Sequence, residues 1–480
     1  MAPRPPASPY IVGPPVSGPH FYGRCSQVSQ FFDMLRGPIL QPLRVLGLRR
    51  SGKTSFLLHV AHPAVIGPAL QGDPHTTVIV YVNLQGIQTP SGFYLAVADA
   101  VANGIPSARV PKAFSTFRSF SKWLESILAP PARSGAGAPK TVRTAAGTRS
   151  ALSKLREDIT RYFDIEELRT LCFDLGVDYD NLRGEGKAAK VRELVVFLDR
   201  RDRIPKLVRK CSKLRPNVSW KYALGVGQKA AATRPSRQSK LLRLRLVVLL
   251  DEFEELTRSP EFDVSFFGGL RALVTALSPE LFTWVTVSYK DLYALSQPLA
   301  SDDRTSPFFN IFHPTPIILG PLEPEEIERL ICEPAKSKKI VLSPQEVRAI
   351  QVIAGAMPYL LQATAEQWFL LRATNPDLPV DQCREEVLAR LGDPSSLIWN
   401  QLGRYWRHLS GPEQACLRQA ALGTLSPGTS LAVTQKLERF GMLYQENDCP
   451  KVAGEVFRRW IELTRRNVPT AIENNHLAET

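Results

Sequence analysis

The chain has 480 residues, 44% of them hydrophobic, and a formal net charge of +14. That length exceeds one ordinary domain, and that apolar content excludes a disordered protein. No apolar run approaches the roughly 20 residues that cross a bilayer, and the opening MAPRPPASPYIVGPPVSGP lacks the apolar core of a signal peptide, so a soluble, cytoplasmic protein without a membrane partner is expected.

The prolines of residues 1–19 read as an extended arm. Val28, Phe31, Phe32 and Leu35 then predict a helix from near Ser26. LRVLGL reads as a short buried strand, and Gly52-Lys53-Thr54-Ser55 opens a helix through Phe56, Leu57 and Val60. A second strand covers Thr76 to Leu84, and a helix follows around Phe93 to Ala102. Strand alternating with helix predicts a parallel α/β sheet. Residues 131–148, rich in Gly, Pro and Ala, read as a linker. From 149 to 220, apolar residues at helical spacing predict a compact helical unit: Leu152, Leu155 and Ile159; Leu168, Leu171 and Leu175; Val191, Leu194 and Leu198; Leu207, Val208 and Cys211. A basic linker, 221–240, follows. The α/β pattern then resumes with LRLRLVVLLDEFEEL, a helix near Phe266 to Leu277, the strand FTWVTVS and a strand at PIILGPL. The helical unit is therefore inserted into a core made of 20–130 and 241–322. Residues 323–394 are mostly helical. From 395 to 470, three helices, two short strand candidates (MLYQE and PKVAG) and the helix EVFRRWIELTRR outline a winged helix, with a tail at 471–480.

The seven cysteines form no CxxC pair and, being odd in number, cannot all pair within the chain, which fits a reducing compartment. The positive charge would suit an anionic partner. Much of it lies in Arg200 to Lys213 and Lys229 to Arg245 without interleaved aromatics, so solvated faces and linkers explain it as well as nucleic acid does.

Gly47-Leu-Arg-Arg-Ser-Gly-Lys-Thr54 matches G-x-x-x-x-G-K-[ST] at every fixed position, between a strand and a helix. Such a loop, here Gly47, Arg50, Ser51, Gly52, Lys53, Thr54 and Ser55, curls backbone N–H groups round the phosphates of ATP, and the helix N-terminus adds partial positive charge. Lys53 is expected to reach the β and γ phosphates, Thr54 to ligate Mg²⁺, and Ser55 to meet the α-phosphate. LVVLLDE supplies the acids at a neighbouring strand end: Asp251 for the Mg²⁺ and Glu252 to polarise the attacking water. The same acids also suit a helix cap. Glu254 and Glu255 read as surface residues, and Ser288, at the end of the next strand, as a sensor of the γ-phosphate.

FYGR (Phe21 to Arg24), GLRRSGKTS, LVVLLDE, SPFFNIF before IILGPL, and GAMPYLLQ (Gly355 to Gln362) together resemble the STAND-class AAA+ ATPases, close to the archaeal-type ATPases. The resemblance implies an α/β P-loop NTPase with sheet order 5-1-4-3-2, a helical lid, a winged helix and regulatory ATP hydrolysis. It carries an adenine-pocket role to Tyr22, Gly23 and Arg24, and a base or sugar contact to Pro358. No arginine finger is obvious; Arg304 lies in about the right region. The winged helix offers Thr434, Gln435, Lys436 and Arg439 as DNA-reading candidates, so a DNA-binding ATPase is the rival reading, and a scaffold that hardly hydrolyses is a third. A structural winged helix is preferred.

A second stretch, NLRGEGKAAK, ends like a phosphate loop at Gly186-Lys187. Asn181 stands where the first glycine is needed, Ala188 stands where Ser or Thr is needed, and VDYDNLRGEG is acidic. It therefore reads as a turn into a helix. Residues 152–220, with ELRTLCFDLGVDYDNL, GEGKAAKVRELV and LRPN in order, resemble the death-like effector-associated domains of bacterial conflict proteins. That implies an adaptor surface for an effector or adaptor protein with a similar domain, and allows a nucleotide-dependent homo-oligomer. Asp174, Asp178 and Asp180 on one face and Lys187, Arg192, Arg200 and Arg201 on another would suit unlike patches pairing; the bland alternative is a stabilising insert.

Overall fold

The computed structural model describes residues 7–466 except 74, 129–144, 176, 180, 181, 183, 185, 200–202, 216, 217, 219, 221–243, 278, 291, 293, 294, 296–306 and 426–428. Arg304, Asp180, Arg200 and Arg201 lie outside the described residues. The chain divides into two compact units, Met1–Pro130 with Leu241–Thr480, and Pro131–Lys240.

In the first unit, five parallel strands form one sheet: β1 (Leu43–Leu46), β2 (Thr76–Asn83), β3 (Leu244–Asp251), β4 (Phe282–Ser288) and β5 (Ile317–Ile318). Their spatial order is β5-β1-β4-β3-β2, the order of an AAA+ P-loop NTPase. The central strands β3 and β4 are buried almost throughout, as expected of strands covered on both faces. On β3, Val247 and Leu249 pack with Phe31, Leu57 and Val285 on one face, while Leu246, Val248 and Leu250 pack with Phe93, Phe120 and Trp284 on the other. Period-two alternation thus feeds two separate cores. The covering helices are α1 (Cys25–Arg36), α2 (Lys53–Val60), α3 (Pro63–Ala69), α4 (Pro90–Gly104), α5 (Phe117–Leu128) and, after the insertion, α10 (Val264–Ala276). Arg245, counted above with the basic run, is a buried strut, 1% exposed. Its guanidinium donates to the carbonyls of Leu35, Gly37 and Glu280, each at 3.0 Å.

After β5 come the lid helices α11 (Pro324–Ser337), α12 (Pro344–Ala354), α13 (Pro358–Thr374) and α14 (Val380–Leu391). Then follow α15 (Leu397–His408), α16 (Gly411–Leu422), α17 (Leu431–Arg439), the antiparallel pair β6 (Leu443–Glu446) and β7 (Cys449–Val452), and α18 (Glu455–Arg466): three helices, a wing and a last helix. One apolar core runs through all of these. Lid and wing meet backbone to backbone at two glycines. A Cβ on Gly355 would lie 3.1 Å from Gly454 N, and one on Gly454 would lie 2.8 Å from Ala354 C; both have positive φ. Only glycine fits both requirements.

The second unit is all helical: α6 (Ala145–Tyr162), α7 (Ile165–Asp174), α8 (Lys187–Asp199) and α9 (Ile204–Leu214). Its core joins Leu155, Ile159, Leu168, Leu194, Leu207 and Trp220. Asp164 and Glu167 form a reciprocal cap at the start of α7. Gly184 and Gly186 take φ of 93° and 83° and turn the chain into α8. Lys187, read above as part of a basic surface patch, instead donates to the carbonyl of Phe163 at 3.0 Å, and Lys190 to that of Leu182 at 2.6 Å. Cys172 and Cys211 are packed thiols, and burial raises both pKa values. Among the described residues no helix is long and apolar enough to cross a membrane.

Candidate nucleotide site

The carboxyl ends of β1, β3 and β4 open on one side of the sheet, the usual position of a ligand site in parallel α/β folds. Leu46 pairs with Ser288, and Asn83 with Asp251, so register alone brings the P-loop, the acids and the serine to one rim. Between β1 and α2 the loop closes tightly. A Cβ on Gly47 would lie 2.4 Å from Ser51 Oγ, Arg50 is left-handed at φ 64°, and Gly52 is at φ 90°. Lys53 starts α2, is 7% exposed, and its Nζ donates to Leu48 O at 3.2 Å.

Thr54 Oγ1 donates to Asp251 Oδ2 at 2.7 Å, joining the P-loop helix to the end of β3. Tyr81, on β2, donates to the same oxygen at 3.0 Å, and the Glu252 N–H donates to Asp251 Oδ1 at 3.0 Å. Asp251 is 1% exposed, so these bonds hold an otherwise costly buried acid. Glu252 is left-handed at φ 54° and lines the cleft.

The third acid corrects the sequence reading. Glu254 is not on the surface: it is 2% exposed, and its Oε2 has no hydrogen-bond partner among the described residues. Burial pushes its carboxyl up to about 7, against the opposing pull of the Lys53 ammonium and of the Tyr289 N–H. Glu255 is paired with Arg258 on the more exposed side of the same turn.

Of these groups, Thr54 and Glu252 border a cleft of about 300 Å³, while Asp251 and Glu254 lie behind its wall. Gly52, Lys53, Thr54, Ser55, Glu252 and Pro358 line it, together with Arg50, Ser51, Tyr22 and Arg24. So does the arm: Gly13 to Val16 cross its edge, and the Val16 N–H donates to Ser55 Oγ at 3.1 Å. Tyr10, further up the arm, is buried against Phe369 of the lid. Several side chains are already committed. The Arg24 guanidinium donates to the carbonyls of Gly320 at 2.6 Å and Ser51 at 3.1 Å, and burial lowers its pKa to about 10. Gly23 abuts Glu326, 3.0 Å from where a Cβ would stand. Arg50 donates to Gly13 O and lies 5.2 Å from the centre of the Tyr359 ring. Ser288 Oγ donates to Lys290 O at 2.6 Å, which turns it into its own loop. Tyr289, next to it, packs its ring 5.0 Å from that of His408 on α15.

The residues fit a phosphate chain with a hard cation. Ser51 Oγ is buried with no hydrogen-bond partner among the described residues, Gly47 leaves no room for any side chain, and a hydroxyl and a carboxylate meet at Thr54 and Asp251, oxygen donors of the kind Mg²⁺ takes. Sequence reasoning missed Tyr81, Glu254 and the arm. Tyr81 carried a signal, since a tyrosine within a covered strand needs a partner for its hydroxyl.

Residues 155–216 match the family model of effector-associated domain 7. The whole chain resembles, at the level of the backbone trace, the Walker-type ATPase PABY2304 of Pyrococcus abyssi, with 13% identity and a TM-score of 0.43 over 95% of this chain and 99% of that one. It also resembles the ORC2 protein of Aeropyrum pernix in its ADPNP–ADP complexes, with 12% identity and a TM-score of 0.43 over 94% and 96%. The ORC1 protein of Aeropyrum pernix in complex with DNA follows at 10% and 0.36, over 93% and 95%. No curated protein matches the chain.

Proposed function

We propose that the chain is a nucleotide-controlled signalling switch of the STAND type, which binds Mg-ATP in the P-loop cleft, hydrolyses it slowly, and recruits an effector protein through its effector-associated bundle. The bond of 2.7 Å between Thr54 and Asp251 carries this reading, because it sets a hydroxyl and a carboxylate where a phosphate-bound cation needs both. Lys53 would leave Leu48 O for the β and γ phosphates, with Gly47, Gly52 and the α2 N-terminus cradling them. Thr54 and Asp251 would hold Mg²⁺, which when bound offsets the charge of the phosphates. Glu252 would accept a proton from the attacking water. Tyr22 and Pro358 would flank the base, and Ser55 would turn from Val16 N–H to the α-phosphate. The contact of Tyr289 with His408 offers a path from the strand end beside Ser288 to the C-terminal helices, as a two-state switch requires.

The output is assigned to protein and not to DNA. Of the groove-reading candidates, Thr434 is buried and Lys436 pairs at 2.7 Å with the buried Glu413, which leaves Gln435 and Arg439 as the exposed pair, on a helix that carries no aromatic residue. The effector-associated domain supports a cytoplasmic role in bacterial defence signalling.

Two measurements on the full chain test this. Glu252→Gln should bind ATP as well as the parent and turn it over at least about a hundredfold more slowly; unchanged turnover removes Glu252 from the chemistry. Immobilised full chain, loaded with ADP or with a non-hydrolysable ATP analogue, should capture a protein carrying a similar bundle in only one of the two states. Capture of duplex DNA alone, lost in Lys436→Glu, would establish the DNA reading instead.

A further inference from the structure

A second cavity, about 420 Å³, lies among the arm, the P-loop and helices α13 to α15. It shares Gly13, Arg50 and Tyr359 with the nucleotide cleft, but Gln401, Arg404 and Glu366 line this cavity alone. Its size falls within the range of small-molecule sites.

Its wall holds one polar group that is unpartnered among the described residues, and a second lies further along the same helix. Gln401, on α15, is 4% exposed, and its Nε2 has no hydrogen-bond partner among the described residues. One turn on, the Tyr405 hydroxyl is buried and equally unpartnered, and Tyr359 and Arg50 both act on it electrostatically. Each such group is costly if nothing bonds to it, and native folds leave few of them. Of the two, Gln401 lines the cavity, so its amide N–H is placed to donate to a ligand there. The charge around them is cationic. Arg50 and Arg404 both pull on the Tyr359 hydroxyl, opposed there by one carboxylate, Glu366. Arg390, on the same wall, is paired with Glu386.

We infer that this cavity binds a small oxyanion, a phosphate- or carboxylate-bearing metabolite, held by Arg404, Arg50 and the Gln401 amide. The guanidiniums and the amide N–H donate and the ligand oxygens accept, which satisfies Gln401. The site reports to the nucleotide cleft through Arg50. An anion that draws Arg50 from Gly13 O loosens the arm, whose Val16 N–H holds Ser55 Oγ. The two ligands are then coupled, each changing the affinity of the other by the same factor.

Inorganic pyrophosphate is the probe. The full chain is first saturated with Mg-ADP, so that the P-loop is filled, and pyrophosphate is then titrated by calorimetry. One further binding event is expected. Arg404→Ala and Gln401→Leu should abolish it, while Glu366→Gln, which removes the repulsive carboxylate, should tighten it severalfold. All three should bind ADP, which keeps this result separate from the reading of the nucleotide site. Gln401→Leu should also raise the melting temperature without pyrophosphate, since it removes an unpaired amide. No heat beyond dilution, with Gln401→Leu merely more stable, would mean a cavity that holds only water and would overturn the proposal. Binding that persists unchanged in Arg404→Ala and Gln401→Leu would overturn it too, by placing the anion elsewhere.

Discussion

Gly52-Lys53 and Gly186-Lys187 have nearly the same local shape: a glycine at φ 90° or 83°, then a lysine that begins a helix. Both lysines donate to a main-chain carbonyl, Lys53 to Leu48 and Lys187 to Phe163. Their surroundings separate them. Behind Gly52 stands a buried strand whose loop has no room for a Cβ at Gly47, and opposite stands the Asp251 rim. Behind Gly186 stands an acidic turn, and opposite it the end of another helix. A glycine and a lysine set the turn; the chemistry belongs to what the sheet register brings across from it.

The largest effect that would break or confirm this contrast is at Lys53. Lys53→Ala should weaken ADP and ATP about a hundredfold, the loss of charge-assisted bonds to phosphate, and leave unit two folded. Lys187→Ala should leave nucleotide affinity unchanged in the same fluorescence titration. Nucleotide binding that survives the first substitution and fails in the second would reverse the assignment.

A smaller effect sharpens it, because among the described residues only Lys53 of the two has a buried acid beside it. Glu254 is pushed up to about 7 from its ordinary 4.5, first by burial, so the folded chain holds a proton there that the unfolded chain has released. The stability this gives is complete below about pH 4.5 and is lost as pH rises through 7, a span on the order of 3 kcal/mol. Thermal melting of the nucleotide-free parent should therefore fall between pH 5 and pH 8 relative to Glu254→Gln, whose carboxamide does not titrate. Parallel pH profiles for the two would show that Glu254 is solvated.

How far these features could be read beforehand follows from their physics. The P-loop pattern, the acids at the end of LVVLLDE and the parallel α/β sheet were legible because each needs fixed residues or a fixed alternation. α5 carried an apolar stripe at Phe117, Phe120, Leu124 and Leu128 that the strand–helix alternation masked. Glu254 was not legible: Phe253 and Leu256, buried around it, pull the turn inward, and only the fold shows that its carboxyl goes with them. Arg24 and Arg50 sit in motifs that suggest ligand contact, yet their guanidiniums bond to carbonyls of Gly320 and Gly13. Local sequence reports residue type at a site, while the partner comes from chain hundreds of residues away or from the arm.

The finest test is at Lys187, where a surface patch and a structural strut predict different things. α6 ends at Tyr162, and Phe163 O is the carbonyl just past its C-terminus, so the Lys187 ammonium meets the negative end of a helix dipole as well as an acceptor. Lys187→Met keeps the aliphatic stem and deletes only the bond, a cost of about 1 kcal/mol. Lys187→Glu sets a carboxylate against that carbonyl and the helix end, and should cost more. Hydrogen exchange read along Ala145–Tyr162 should speed up in both, in the order Glu above Met, with ADP affinity and exchange in α2 unaltered. A free surface lysine would show no change in exchange for either variant, and its contribution to partner capture would then be charge alone.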